Sequence, residues 1–162
     1  MPHNANRIGT RGESIFLTRI LEGTIINEAF FLGEKAEAID FLCQISDNLK
    51  TYSFKIQVKA TTLGYNKRNR NLKIKVDIKT INALKADILP TYIAGVDVND
   101  EKVYLWGIFN QNKKISSLPT NYKLELHGPN NGNVLNRLKE DVLNYWDNHN
   151  PQPKATYQSL LA

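Results

Sequence analysis

Apolar residues recur along this chain with two different periods, and the switches between them lay out the expected elements. Over residues 10–23, Phe16, Leu17, Ile20 and Leu21 return at the spacing of one helical face. Gly23 stands where a C-terminal cap would close that helix. Glu13 precedes Phe16 and Leu17 by three and four residues, so it falls on the apolar, inward-facing side. Residues 24–31 read as a first strand and residues 33–37 as a turn. Residues 38–45 alternate as a second strand, with Ile39, Phe41, Cys43 and Ile45 on one side and Asp40, Leu42 and Gln44 on the other. A third strand over 52–60 sends Phe54, Ile56, Val58 and Ala60 one way and Lys55, Gln57 and Lys59 the other.

A polar, basic loop covers residues 64–71. The clean alternation of Leu72, Ile74, Val76 and Ile78 against Lys73, Lys75 and Asp77 predicts a fourth strand. A helix over 80–89 stops at Pro90, which cannot continue it. Residues 92–98 and 102–109 form a hairpin turning at Asn99-Asp100. Residues 110–121 look irregular, 122–126 read as a short strand, and a last helix over 134–148 carries Leu135, Leu138, Val142, Tyr145 and Trp146 in one stripe. The order predicts a single α/β domain over residues 10–149, preceded by a flexible lead-in over 1–9 and followed by an extended, proline-containing tail over 150–162.

At 162 residues the chain is long enough to bury a core without staples. It has no apolar run of membrane-spanning length, and its first residues show no hydrophobic signal. The single cysteine, Cys43, sits among core positions and excludes an internal disulfide. A cytoplasmic protein without a membrane partner is expected. The net charge of +5 is modest, but its distribution is uneven. Ten lysines and arginines fall between Lys50 and Lys85, opposed there only by Asp77. A polyanion such as nucleic acid suits that stretch. Lys67, Arg68, Arg70, Lys73 and Lys75 are the candidate phosphate contacts; a solvated loop is the plain alternative for the first three.

Chemistry concentrates on one strand face. Asp40, Gln57 and Lys59 share it by alternation, and Glu13 joins them if the first helix packs over that face. A carboxylate, an amide oxygen and a second carboxylate suit a hard divalent ion, Mg²⁺ or Mn²⁺. A lysine beside them suits the charge that develops at a phosphodiester under attack. Each residue also has a structural explanation. Thr10-x-x-Glu13 fits a capping box, Asp40 fits a turn or edge, and Gln57 and Lys59 fit a solvated edge strand. His3, His127 and His149 are scattered, and no zinc pattern, phosphate loop or nucleophile elbow is present.

Glu13 on an N-terminal helix, Ile39-Asp40 at a strand start and Gln57-Val58-Lys59 on the next strand resemble the restriction-endonuclease-like nuclease superfamily. Its signature is an aspartate followed at variable distance by Asp/Glu-x-Lys, and the Gln-x-Lys form is similar to Mrr-type and Holliday-junction-resolvase-like proteins. The layout resembles most a small prokaryotic family within that superfamily. The run Gly9-Thr10-Arg11-Gly12-Glu13, Pro90, and the strand containing Trp106 also fit. The resemblance spans residues 7–110. It implies a mixed central sheet flanked by helices and metal-dependent endonuclease activity on DNA in prokaryotic defence or genome maintenance. It further implies Asp40, Gln57 and Glu13 as metal ligands and Lys59 as the stabilising cation. Such nucleases often work as homodimers, for which the final helix and proline-containing tail offer an interface; a separate reading has that tail dock on a larger partner such as an ATPase. Gln57 stands where the main pattern has a carboxylate, which leaves a nucleic-acid-binding or adaptor module of the same fold as the alternative.

Overall fold

The computed structural model describes residues 2–33 and 39–149. The expected turn over 33–37, apart from Gly33, and the C-terminal tail lie outside the described residues, as do Met1 and Ala38. The elements follow one another as α1 (Pro2–Ile20), β1 (Glu28–Phe31), β2 (Phe41–Asp47), β3 (Lys50–Thr61), α2 (Ile78–Lys85), β4 (Thr91–Asp97), β5 (Lys102–Gly107), β6 (Lys123–Leu124) and α3 (Asn131–His149). The six strands form one sheet in sequential order. All neighbours are antiparallel except β3 and β4, which run parallel and are joined by the segment containing α2. This is a single-domain mixed α/β fold with helices flanking a central sheet, consistent with a restriction-endonuclease-like arrangement.

Strand alternation divides the core in two. Phe41, Cys43 and Ile45 of β2 join Phe54, Ile56 and Val58 of β3, Ala94 and Val96 of β4, and Val103 and Leu105 of β5 on one face. There they meet Ile15, Phe16 and Ile20 of α1 and Leu135, Leu138 and Val142 of α3. Ile93 and Tyr104 face the other way, toward Ile81 and Leu84 of α2 and a layer made by Leu72, Ile74, Val76, Ile115 and Leu118. Every residue of β4 is buried, as expected of a central strand covered on both sides.

Three expectations are corrected. Residues 2–9, read as a lead-in, are the first turns of α1. Thr10 and Glu13 are therefore mid-helix, and no capping box explains Glu13. Residues 72–78 form no strand. They make only isolated bridges, Leu72 with Tyr65 and Leu118, and Val76 with Ile115. The segment packs on the sheet, with Leu72, Ile74 and Val76 in the core beside Ile93 and Tyr104, instead of joining its ladder. Its alternation survives because one side still faces an apolar surface: Leu72, Ile74 and Val76 are buried while Lys73, Lys75 and Asp77 are exposed. Gly95 of β4 makes the close approach possible, since a Cβ there would lie 2.4 Å from Leu118 Cδ2. Finally, α2 starts two residues early and stops at Lys85. Asp77 caps it by accepting the Thr80 N–H at 2.6 Å.

Candidate active site

β3 presents Gln57 and Lys59 on the face opposite Phe54, Ile56 and Val58, as alternation requires. The β2–β3 ladder ends at Phe41 opposite Ile56. Among the described residues, β3 beyond that point has a ladder partner only on the β4 side. Asp40 occupies the gap. Its N–H donates to the Ile56 carbonyl at 3.0 Å, and its own carbonyl accepts the Leu32 N–H at 2.8 Å. Its carboxylate Oδ2 accepts the Val58 N–H at 2.7 Å and the Gln57 Nε2–H at 2.8 Å. A backbone donor that a continued strand would have satisfied is thus taken by a side-chain carboxylate.

Glu13 reaches this place from the other side of the sheet. α1 packs against the Phe54–Ile56–Val58 face, not over the face carrying Gln57 and Lys59. Gly12 lets it sit close, because a Cβ at that position would come 2.4 Å from Ala60 Cβ. One residue on, Glu13 is half-buried and near enough to Asp40 to feel its charge. Burial first, and the Asp40 charge second, push the Glu13 pKa up. Burial likewise raises Asp40, against the lowering effects of the Val58 N–H and of the Lys59 charge. The Lys59 ammonium also helps lower Asp77, behind that residue's hydrogen bonds to Thr80. Lys59 is therefore in the field of two carboxylates, yet it makes no contact ion pair among the described residues. Asp77 is the participant that sequence reasoning passed over. Its signal was the Asp-x-x-Thr spacing of a helix cap, and it is the one acid in the basic stretch.

Asp40 is the common neighbour of the other three candidates: it accepts the Gln57 amide and lies in the charge field of Lys59, and Glu13 lies in its own. The donor set fits a hard divalent ion. Gln57 is 6% exposed, and its Oε1 is buried with no hydrogen-bond partner. A half-turn of that amide sets Oε1 beside the Asp40 carboxylate, where a cation or a proton between the two oxygens would hold them. The described residues contain no group of three His, Cys, Asp or Glu placed for a metal. The set here has two carboxylates and an amide.

Beside Lys59 opens a cavity of about 530 Å³, lined by Thr61, Asn66, Lys73, Lys75 and Ser116 among others. Lys73 and Lys75 thus share a space with the candidate catalytic lysine. Lys67, Arg68 and Arg70 do not line it. They are exposed on the adjoining turn, which is closed by Asn66 N–H to the Asn71 carbonyl and Arg70 N–H to the Asn66 carbonyl. Cys43 is excluded as a nucleophile: it is buried in the core, and burial pushes its pKa up to about 12. His127 pairs with Glu22 and His149 stacks on Tyr145, both outside the site.

No family model, curated protein or solved structure gives a significant match to this chain. Among the described residues no helix is long and apolar enough to cross a membrane.

Proposed function

We propose that this chain is a metal-dependent nuclease that hydrolyses phosphodiester bonds of DNA. The observation that carries the reading is the convergence of Glu13, Asp40, Gln57 and Lys59, from three separate segments, on the point where β2 parts from β3. Asp40, Gln57 through Oε1, and Glu13 would hold Mg²⁺ or Mn²⁺. Such an ion neutralises charge on the scissile phosphate and makes water a competent nucleophile near neutral pH. Lys59 holds its ammonium beside the same place, where it offsets the charge that builds on the phosphoryl oxygens. Lys73 and Lys75 supply positive charge for flanking phosphates, and the turn carrying Lys67, Arg68 and Arg70 extends that surface.

The test is cleavage of duplex, junction and single-stranded DNA in the presence and absence of Mg²⁺ or Mn²⁺. Metal-dependent cleavage lost in Lys59→Ala, with an unchanged melting profile, supports the reading. Cleavage that persists in both Lys59→Ala and Asp40→Ala removes it.

One observation favours a second reading. The Gln57 Nε2–H bond to Asp40 satisfies that carboxylate without any ion. A chain that has settled on this arrangement would be a nucleic-acid-binding module without catalysis. It would bind DNA in a salt-sensitive way, cleave none of the substrates at any metal concentration, and retain binding in Asp40→Asn.

A further inference from the structure

Away from Asp40, the start of β4, the end of β5 and the last turns of α3 enclose a cavity of about 540 Å³. Thr91 opens β4 in register with Lys55, four residues before the Lys59–Gly95 pair. The cavity therefore lies ~13 Å along the strands from the level of Lys59. Its aromatic wall is held in place. Tyr145 and His149, one turn apart on α3, stack with ring centroids 4.3 Å apart and planes 11° from parallel. Phe109 meets both edge-on, at 6.0 Å from Tyr145 and 5.6 Å from His149. The Tyr145 hydroxyl donates to the Ile88 carbonyl at 2.5 Å. His149 Nδ1 lies 2.8 Å from the Tyr145 carbonyl, which makes Nδ1 the protonated nitrogen. Phe109 is nonetheless 62% exposed.

Aromatic clefts suit two kinds of ligand, organic cations and planar heteroaromatic rings. A cation is best held by rings on several sides, whereas Tyr145 and His149 form a flat stack with Phe109 at its edge. The lining also commits its negative charge elsewhere. Asp87 pairs with Lys55, Asp141 accepts the Tyr92 hydroxyl at 2.6 Å, and Lys85 adds a cation of its own.

We propose that this cleft binds an unpaired nucleobase, stacked on Phe109 with its polar edge toward Asn144 and Asp141. Those two residues are three apart on α3 and share a face. The amide of Asn144 offers a donor and an acceptor, and the Asp141 oxygen not taken by Tyr92 offers a second acceptor. The proposed contacts are all to the base, and none is to a phosphate. The base comes either from a free nucleoside or from an unpaired position in a strand. Neither Asp40 nor Lys59 takes part, so the inference stands apart from the nuclease reading.

The experiment titrates the full chain, in chelator so that no cleavage intervenes, with guanosine and adenosine while tryptophan fluorescence is followed; Trp106 lines the cleft. Saturable quenching is expected. Phe109→Ala lowers affinity for both nucleosides about tenfold, within the range that base–aromatic stacking supplies. Asn144→Ala changes the guanosine-to-adenosine ratio. Phe109 is exposed, so its replacement leaves the melting profile in place as a check on folding. A single-stranded oligonucleotide and its abasic counterpart separate the two sources. A Phe109-dependent preference for the intact strand assigns the base to a strand, and equal binding of the two oligonucleotides alongside nucleoside binding assigns it to free nucleosides. Three results overturn the proposal: no saturable nucleoside binding, binding unaltered in both variants, or tetramethylammonium bound in a Phe109-dependent manner in place of nucleosides.

Discussion

One oxygen of Asp40, Oδ2, accepts both the Gln57 amide at 2.8 Å and the Val58 backbone N–H at 2.7 Å. Asp40 thus has a structural duty that its charge does not serve. An asparagine oxygen would accept the same two bonds. Burial raises the Asp40 pKa above its unfolded value. The folded chain then holds more protons than the unfolded chain between those two values, and stability falls as pH rises through that window. Above that window the destabilisation is complete. Asp40→Asn is therefore expected to melt at or above the parent temperature in chelator. Asp40→Ala should lose about 1–3 kcal/mol by leaving the Val58 N–H and the Gln57 amide without their acceptor. Both variants should lose metal-dependent cleavage by about 10²-fold or more. Parallel melting and cleavage assays check the contrast; equal destabilisation in the two variants would show that the charge itself supports the fold.

Glu13 lies in the field of the Asp40 carboxylate, and both pKa values are displaced upward. A hard cation needs both groups ionised. Metal affinity should fall as pH drops through the displaced values, so the acid limb of kcat/KM should lie above the ordinary carboxylate range of about 4. Glu13→Gln should remove the Glu13 part of that limb and weaken Mn²⁺ binding. Profiles of rate against pH, with Mn²⁺ titrations at pH 5 and pH 7, measure both effects.

Gln57→Glu puts a second strand carboxylate where the amide stands. Without metal it places a buried negative charge against Asp40, so the variant should melt below the parent at neutral pH and recover as pH falls. Mg²⁺ or Mn²⁺ should raise its melting temperature by more than it raises the parent's, since a ligand that binds only the folded state stabilises it according to its affinity. A melting temperature indifferent to either ion in both proteins would remove Gln57 from the metal site.

Lys73 and Lys75 line the cavity next to Lys59, while Lys67, Arg68 and Arg70 stand on the turn beyond it. Replacing Lys73 and Lys75 together by alanine should reduce the salt slope of DNA binding by about 2, near 0.9 for each phosphate no longer neutralised. It should also slow cleavage at saturating DNA if the proposed reaction takes place at Lys59, because Lys73 and Lys75 line the same cavity. Charge reversal at the turn should weaken binding with little change in the saturated rate. Binding isotherms at several salt concentrations, paired with single-turnover cleavage, separate the two groups.

The strand faces were legible because period two survives wherever one side meets the core. Phe41, Cys43 and Ile45, and Phe54, Ile56 and Val58, are buried as the alternation required. The same signal misled at Leu72, Ile74 and Val76, because a segment packed on a sheet alternates like a strand while making only isolated bridges and no continuous ladder. Gln57 and Lys59 shared a face on paper and share it in the fold, whereas Asp40 lies at the open edge of β3, where its carboxylate takes the Val58 N–H, and Ile39, expected beside Phe41, packs against the opposite core. Glu13 was legible only as an inward-facing acid. What brings it to Asp40 is the end of β2 at Phe41 and the depth at which α1 sits, and neither is a property of local periodicity. The early start of α1 was hidden for a related reason: residues 2–7 carry no apolar stripe, so the helix begins before its core-facing pattern does.

Gly12 connects that depth to the site. Glycine inside a helix ordinarily costs about 1 kcal/mol relative to alanine, so Gly12→Ala would stabilise an isolated α1. In the folded chain the added Cβ would come 2.4 Å from Ala60 Cβ and 3.6 Å from Ala60 Cα. The first distance is too short for two carbons, and neither group is the far end of a flexible side chain. α1 must lift from β3, drawing Ile15 and Phe16 out of their packing, and overpacking of this kind costs about 1–3 kcal/mol. Glu13, next in the chain, moves with the helix away from Asp40. The expected outcome is a lower melting temperature together with weaker Mn²⁺ binding and a Glu13 pKa returned toward its ordinary value. The double variant Gly12→Ala, Ala60→Gly frees the space and should restore both properties. If metal binding fell in the single variant and did not return in the double variant although stability did, Gly12 would matter to the site by some route other than the approach of α1 to β3.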